Sequence, residues 1–507
     1  MSAAPGRPKQ ARTAARRAEG GGYLMNAGPV AQTLAERLVA EWYSLDESTI
    51  PAHVDAATIR CIKDTLGVAL AARALGVGMA GVHVALQDAS VPQSALWGAG
   101  MRVSMEDAAL ANGMLSHALD FDDTHAAAIV HSSSVLVPAA LAVGEAVQAS
   151  GRSILAALVV GYQVAARLGR LAPGPFQDNG FQATSVLGTF AAAIVAARLM
   201  RLSPDQALNA LGIAGSMASG SMAYLSDGSD VKQMHPGWAA MSGIRAAKFA
   251  RAGFRGPRAI FEHRLGIFHS FARVDITDTW RDACGAPWEV ALMGPKPYPA
   301  CLCVHAPVQA MLQLRGEGWV SPDRIEDIRE IRCEGPQWYR ELVFEPAASK
   351  IAPRTPYEAR FSAPWSMARA LLDGGLDVRS FSPEKLSDPV AGALAARTAF
   401  TAEELPEFPA SFPARVTVTL ADGARRSAYV AHNLGAPGNP MTDDDIEAKF
   451  QACMAAVLPP ARADELSHCI AGLVEGNGAQ QLFECLGRLD PAGMQSEIST
   501  YKETEKC

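Results

Sequence analysis

From about Ala31 onward, apolar side chains return every three or four positions, and this rhythm persists for more than two hundred residues. Leu34, Leu38, Val39 and Trp42 form one such series. Ile59, Ile62, Leu66 and Leu70 form another behind Asp55, which reads as an N-cap. Further helices are expected over Asp107–Asp120, Leu136–Ala149, Ile154–Leu171, Thr184–Met200, Pro204–Leu225 and Gly237–Ala252. The clearest start signal is Ser203-Pro204-Asp205, a cap followed by proline at the first helical position. Alanine, glycine and serine fill many of the remaining helical positions. Such small side chains let backbones approach closely, so a compact helical core with few bulky anchors is expected.

After about Asp275 the period shortens. Ile328–Cys333 and Ala414–Leu420 read as strands, and Ala421-Asp422-Gly423 as the turn joining Val416–Leu420 to Arg426–Ala431. Helical spacing returns at Pro364–Asp373, then at Ile446–Val457 behind a Thr442 cap, and at Ala463–Leu473. The expectation is a mainly α protein: a large all-helical domain with a smaller α+β lid domain inserted into it. The boundaries fall at 25–285 for the first helical part, 286–438 for the insertion and 439–507 for helices returning to the first domain. Residues 1–24, with five basic side chains against Glu19, are expected to be a disordered tail.

Composition narrows the class. The chain has 507 residues, is 49% hydrophobic and 19% charged, and carries a net charge of -7. That balance, without a long basic stretch in the folded part, argues against a nucleic-acid partner. The nine cysteines follow no disulfide spacing, as expected of reduced thiols in a cytoplasmic protein. The best membrane-span candidate, Thr184–Met200, is only weakly apolar and contains Arg198, so it reads as a buried helix.

Polar chemistry concentrates in a few places. Asn112–Pro138 sets Asp120, Asp122, Asp123, His117, His125, His131 and Thr124 between two apolar segments. Carboxylates so close together cannot all be buried ionised without a cation, solvent or substrate. On a continuing helix, His117, Asp120 and Thr124 would share one face. A solvated acidic cap would explain the same residues, but acid at a helix C-terminus opposes the dipole, which favours a site. Ser226–Trp238 is a turn-rich lead into a helix, with Lys232 and His235 placed just before it, where an anion would meet free N–H groups. Gly294–His305 carries three prolines that stiffen the backbone around Lys296, as either a positioned lysine or a rigid linker would need. Gly180–Ser185 shows little beyond capping by Thr184 or Ser185.

Taken together, these segments resemble the MmgE/PrpD family of 2-methylcitrate dehydratases, cis-aconitate decarboxylases and iminodisuccinate epimerases. The resemblance covers Ala31 to about Val474. It rests on H-A-L-D-F-D-D-T at His117–Thr124 with His131 after it, S-D-x-K-x-x-H-x-G at Ser229–Gly237, and K-x-Y-P-x-C ending in histidine at Lys296–His305. A-R-F-S at Ala359–Ser362 and G-Y-x-V-x-x-R at Gly161–Arg167 add to it. The resemblance implies a helical domain with an inserted lid, a homodimer, no metal or organic cofactor, and a small carboxylic acid as substrate. Carried over by position, it implies an active-site aspartate at Asp120, a threonine at Thr124, a histidine at His131 and lysines at Lys232 and Lys296. Two departures weigh against decarboxylation: Gln182 stands where those decarboxylases place a histidine, and their lid tyrosine has no clear counterpart near Lys350–Arg354.

The reactions of that family share proton removal or return at a carbon beside a carboxylate. Lys232, Lys296 and His235 suit the developing negative charge. Asp120 and His131 suit the acid–base pair, with Thr124 and Gln182 binding substrate. Dehydration of a 2-methylcitrate-like acid is the leading expectation, and epimerisation of an iminodisuccinate-like acid the alternative. A metal enzyme is the competing class, since Asp122, Asp123 and the histidines are potential ligands. No H-x-x-x-H or C-x-x-C pair supplies a zinc pattern, however, so no metal site is expected.

Overall fold

The computed structural model describes residues 32–489, apart from 88–90, 227, 277–286, 409–410 and 456. The expected tail at 1–24 and the last residues of the chain lie outside the described residues. The protein is mainly α. Two apolar cores organise it: one built from residues between Leu34 and Met293 together with Phe450–Leu489, the other from residues between Ala300 and Val430.

The first core is wound around the helix Ala183–Leu199, against which Ser133–Ala146, Gly151–Leu171, Pro204–Ala214 and Val231–Arg251 pack. The expected run of small residues makes this possible: Ala191, Ala192, Ala193, Ala196 and Ala197 are all fully buried. Gly151–Leu171 is the one helix among the described residues long and apolar enough to cross a membrane, and it lies inside this core. Asp443–Met454, capped by Thr442, packs back onto Ala52–Ala74.

In the second core a four-stranded sheet runs in the order Thr398–Ala402, Ile328–Gly335, Ala414–Leu420, Arg425–Val430. The first pair is parallel and the others antiparallel, with Cys333 opposite Val416. The helix Leu302–Gly316 lies against the last two strands, and Ala363–Asp373 packs on that helix.

Four local expectations change. Asp55 is not a cap: the helix starts at Ala52 behind Pro51, and Asp55 pairs with Arg152 inside it. The helix at Pro204 ends at Ala214 rather than Leu225, where Gly215, Ser219 and Gly220 give little helical propensity. The freed segment instead bridges Ser221 to Phe181, and Gln182 N–H donates to Gly220 O at 2.9 Å. The helix expected from Gly237 begins at Val231, so Lys232 and His235 sit in its first two turns rather than before it. Pro236 removes only the bond to the Lys232 carbonyl. Finally, the helix Met105–Ala118 stops before Asp120, which takes a left-handed φ of 49°. Asp tolerates that conformation better than most residues, and it turns Asp120 off the shared face with His117 and Thr124.

The two site-bearing helices cross at a pair of glycines. A Cβ on Gly237 would lie 2.1 Å from Leu110 O, and one on Gly113 would lie 2.6 Å from Gly237 Cα. Their backbones touch, which sets Lys232 at a fixed distance from the end of the partner helix. Gly237→Ala should therefore lower unfolding stability by about 1–3 kcal/mol, the range for overpacking. It should cut turnover further by pushing Lys232 away from Asp120. An alanine variant with native denaturation midpoint and native turnover would show that the crossing has slack.

Candidate active site

Asp120 is the centre of the site. Its Oδ1 accepts from Lys232 Nζ at 3.0 Å and Lys296 Nζ at 2.9 Å, and Lys296 Nζ also donates to the Asp120 carbonyl at 2.9 Å. All three groups are almost wholly buried. Burial alone would raise the Asp120 pKa, but the two ammonium groups outweigh it and hold the carboxyl well below its usual range. Burial likewise opposes the charge on Lys232, and Asp120 outweighs it, raising that pKa well above the ordinary value. The aspartate is thus a fixed anion and a poor proton acceptor. One carboxylate oxygen thus holds two ammonium groups at the cavity wall.

Three cationic contacts to successive carbonyls, two of them new, fix the turn that presents Asp120. Arg360 Nη1 donates to Leu119 O at 2.8 Å, Lys296 to Asp120 O, and Lys449 Nζ to Phe121 O at 2.8 Å. Successive carbonyls just past a helix C-terminus are where such donors are most favourable. Arg360 also holds Pro299 O at 2.8 Å, tying the Lys296 loop to the same turn. Thr124 and Gly294 exchange backbone hydrogen bonds of 2.9 Å, a second tie between the two segments.

Of the three imidazoles, the structure brings one to the cavity. His125 points away, pairing through Nε2 with Glu289 at 3.0 Å. His117 Nδ1 pairs with Asp122 Oδ2 at 2.8 Å in a buried position. His131 lines the cavity beside Asp120, Lys232 and Lys296. Its Nδ1 lies 3.0 Å from Asp123 O and 3.1 Å from Thr124 Oγ1. A carbonyl only accepts, so Nδ1 carries the proton and Nε2 keeps its lone pair. Burial first, with Lys296 adding to it against the pull of Asp122, brings the His131 pKa down to about 3. The ring is a neutral base poised over a cationic floor.

Gln182 lines the same cavity and its Oε1 accepts from His235 Nδ1 at 2.5 Å. That bond occupies the amide oxygen and leaves the NH₂ as a donor. His235 does not line the cavity; it positions Gln182, and burial holds its pKa down to about 4. Neither Thr184 nor Ser185 caps its helix, which starts behind Gln182 without a side-chain cap; the Thr184 hydroxyl instead accepts from His131 N–H at 3.0 Å. Thr124, Gln182, Lys232, Lys296, His131 and Asp120 therefore share a cavity of about 110 Å³.

Behind this wall, Asp123 is buried with the Ser133 hydroxyl donating to it, and Ser133 Oγ lies 2.5 Å from Tyr162 Oη. Burial, reinforced by Asp64, raises the Asp123 pKa to about 7. The G-Y-x-V-x-x-R segment is thus structural: Tyr162 closes this chain and Arg167 stacks 4.6 Å above the Trp42 ring.

Sequence reasoning missed several contributors. Arg360 gave no sign that it would cross to the other unit, although A-R-F-S had been singled out. Phe361 supports Lys232, whose Nζ lies 4.6 Å from the ring centroid. Tyr224 lines the cavity. Tyr357, a few residues past Lys350–Arg354, is buried near Lys232, and its hydroxyl has no hydrogen-bond partner. One cluster among the described residues could hold a metal: ligand atoms of His117, Asp122 and His131 lie within 4.8 Å of one another. The two lysine ammonium groups lower the His131 pKa and would oppose a cation there equally.

The sequence matches the MmgE/PrpD N-terminal domain over residues 37–278 and the MmgE/PrpD C-terminal domain over residues 298–472. It is 28% identical to a cis-aconitate decarboxylase-like protein of Aspergillus oryzae, over 76% of this chain and 83% of that protein. It is 26% identical to the cis-aconitate decarboxylase of Aspergillus terreus (77% and 82% covered) and 29% identical to that of Homo sapiens (79% and 83% covered). With both domains matched in order and the three polar segments meeting in one cavity, the chain belongs to the MmgE/PrpD family.

Proposed function

We propose that the protein is a lyase that dehydrates a small di- or tricarboxylic acid, 2-methylcitrate-like in its head group, without a metal or organic cofactor. The observation that carries this reading is a neutral His131, with Nε2 free, standing over two lysines that Asp120 holds in place. A carbon beside a carboxylate gives up its proton only if charge on that carboxylate is stabilised. Lys232 and Lys296 supply the stabilisation. His131 Nε2 takes the proton from the carbon and its imidazolium then gives it to the departing hydroxyl, which leaves as water, while the Gln182 NH₂ and Thr124 hydroxyl grip a carboxylate. The unit carrying Phe361 and Trp338 acts as a lid, and its closure strengthens each charge contact by excluding water.

Decarboxylation is the second reading, favoured by the names of the relatives. It needs a proton delivered to the carbon that loses carbon dioxide. Gln182 cannot titrate, and His235 behind it points its proton into the amide. Dehydration asks less of that position.

The base assignment has a pH signature. Protonation of His131 removes the base, and its pKa lies near 3 rather than at the ordinary histidine value. Corrected for ionisation of the substrate's own carboxyls, log kcat/KM should therefore stay level between pH ~7 and ~5, where an unperturbed histidine of pKa ~6.5 would already fall. Exhaustive chelation should leave the rate unchanged, and His131→Asn should lower kcat by roughly a thousandfold. An inflection near neutrality, or loss on chelation restored by a divalent ion, sinks the assignment.

The lysines should act on both turnover and stability. Lys296→Met leaves Asp120 with one counter-ion, so stability should fall by about 3 kcal/mol. Asp120→Asn in the same chain should deepen that loss, because it leaves Lys232 buried without its carboxylate, read by denaturant unfolding. Lys232→Met should lower kcat at least a hundredfold, as loss of an oxyanion donor does. Near-native turnover in that variant would put the anion pocket elsewhere.

Gln182→Ala should chiefly raise KM, and Gln182→His should add a titration to the pH–rate profile. Wild-type protein should convert little cis-aconitate to itaconate. Ready conversion, followed by product analysis, would make decarboxylation the function and this position indifferent to it.

A further inference from the structure

The inner cavity does not end at the lysines. A second cavity of about 610 Å³ adjoins it, and seven residues, among them Met222, Leu225, Trp338, Leu342 and Phe361, line both. Five of the seven are apolar, and Gln177 and Tyr224 are the other two. Leu225 is 50% exposed and Trp338 40% exposed, so this part of the wall is open to whatever enters the cavity. Phe412, on the inner cavity, continues the wall, its ring 6.1 Å from that of Trp338.

The outer cavity has the opposite electrostatics to the inner one. Its two cations are already engaged: Lys350 Nζ donates to Leu342 O and Phe361 O at 2.9 and 2.8 Å, and Arg354 Nη2 pairs with Glu358 Oε1 at 2.8 Å. Asp178, Glu341, Glu345 and Glu358 line it as well. Glu358 is held by Arg354 and Glu345 by Arg340, so a carboxylate entering there would face Asp178 and Glu341, with only Lys350, tied to two carbonyls, against them.

We infer that the substrate is a polycarboxylate head group bearing an uncharged aliphatic tail: the head sits at Lys232 and Lys296, and the tail lies along Leu225, Trp338 and Leu342 in the outer cavity. The inference rests on the polycarboxylate reading of the inner site and adds the half of the ligand that reading leaves open. An unsubstituted small acid would fill only the inner cavity and leave the apolar wall wet. A tail of several carbons would cover it. A second carboxylate at the far end of that tail would be repelled.

The test uses the full-length protein and a homologous series of tricarboxylic acids substituted with hydrogen, methyl, butyl or hexyl, plus the butyl compound ending in a further carboxylate. Binding is read by calorimetry and chemistry by exchange of the proton beside the carboxylate. Affinity should rise roughly threefold per methylene, the size expected when apolar carbon leaves water. The terminal carboxylate should cancel that gain. Trp338→Ser should lower the ratio of hexyl to unsubstituted affinity at least tenfold, a ratio that a general loss of folded protein would leave unchanged. Affinity flat or falling with chain length, with exchange retained on the unsubstituted acid, overturns the tail pocket and leaves the polycarboxylate reading standing. Neither binding nor exchange with any acid of the series overturns both.

Discussion

The site depends on one buried triad of charges: Asp120 between Lys232 and Lys296. Neither lysine would be tolerated inside the protein without the aspartate, and the aspartate would protonate without the lysines. The arrangement holds two ammonium groups about one hydrogen-bond length from a common oxygen, in a place where water is scarce. Their charge is therefore present and directed before any substrate arrives, which is what electrostatic preorganisation requires. In the proposed chemistry the carboxylate stays locked in its two ion pairs, and the proton goes to His131, which burial first and then the lysines keep neutral.

The helical core serves this triad by bringing distant parts of the chain to fixed separations. The glycine crossing of Met105–Ala118 with Val231–Arg251 sets one lysine. The Thr124–Gly294 bridge and the Arg360 contacts set the other. The shape of the backbone is the instrument here. Gly237 and Gly113 matter because they allow two carbonyl-lined surfaces to touch.

Much of this could be read from the residues, and the failures are instructive. Helical periodicity found most of the helices, since a period of three to four survives without tertiary information. It overran at Leu225, where small residues lack propensity but not pattern, and it started late at Val231, because Pro236-Gly237 imitates a helix start. The strand Thr398–Ala402 escaped notice: short, mostly exposed and paired on one side only, it carries no alternation to detect. The charged groups of the site stood out because clustered carboxylates and lysines in apolar sequence need partners. Which partner goes to which was invisible, since Asp120 meets Lys232 and Lys296 across 112 and 176 residues. Asp120's left-handed turn was hidden for the same reason: the cations that reward it come from elsewhere in the chain.

The turn at Leu119–Phe121 has a consequence for how the protein is made. Its three carbonyls are held by donors at positions 296, 360 and 449. A ribosome delivers these residues long after the turn itself has emerged. Until the helix Asp443–Met454 arrives and docks on Ala52–Ala74, Asp64 and the Phe121 carbonyl lack the ammonium group that neutralises them. Local helices can form early, but the pocket can close only after Lys449 has emerged, once contacts of very long sequence separation are in place. Until then Asp64 and the carbonyls of the turn keep their bonds to water, and the site's charges are gathered out of solvent in one late step.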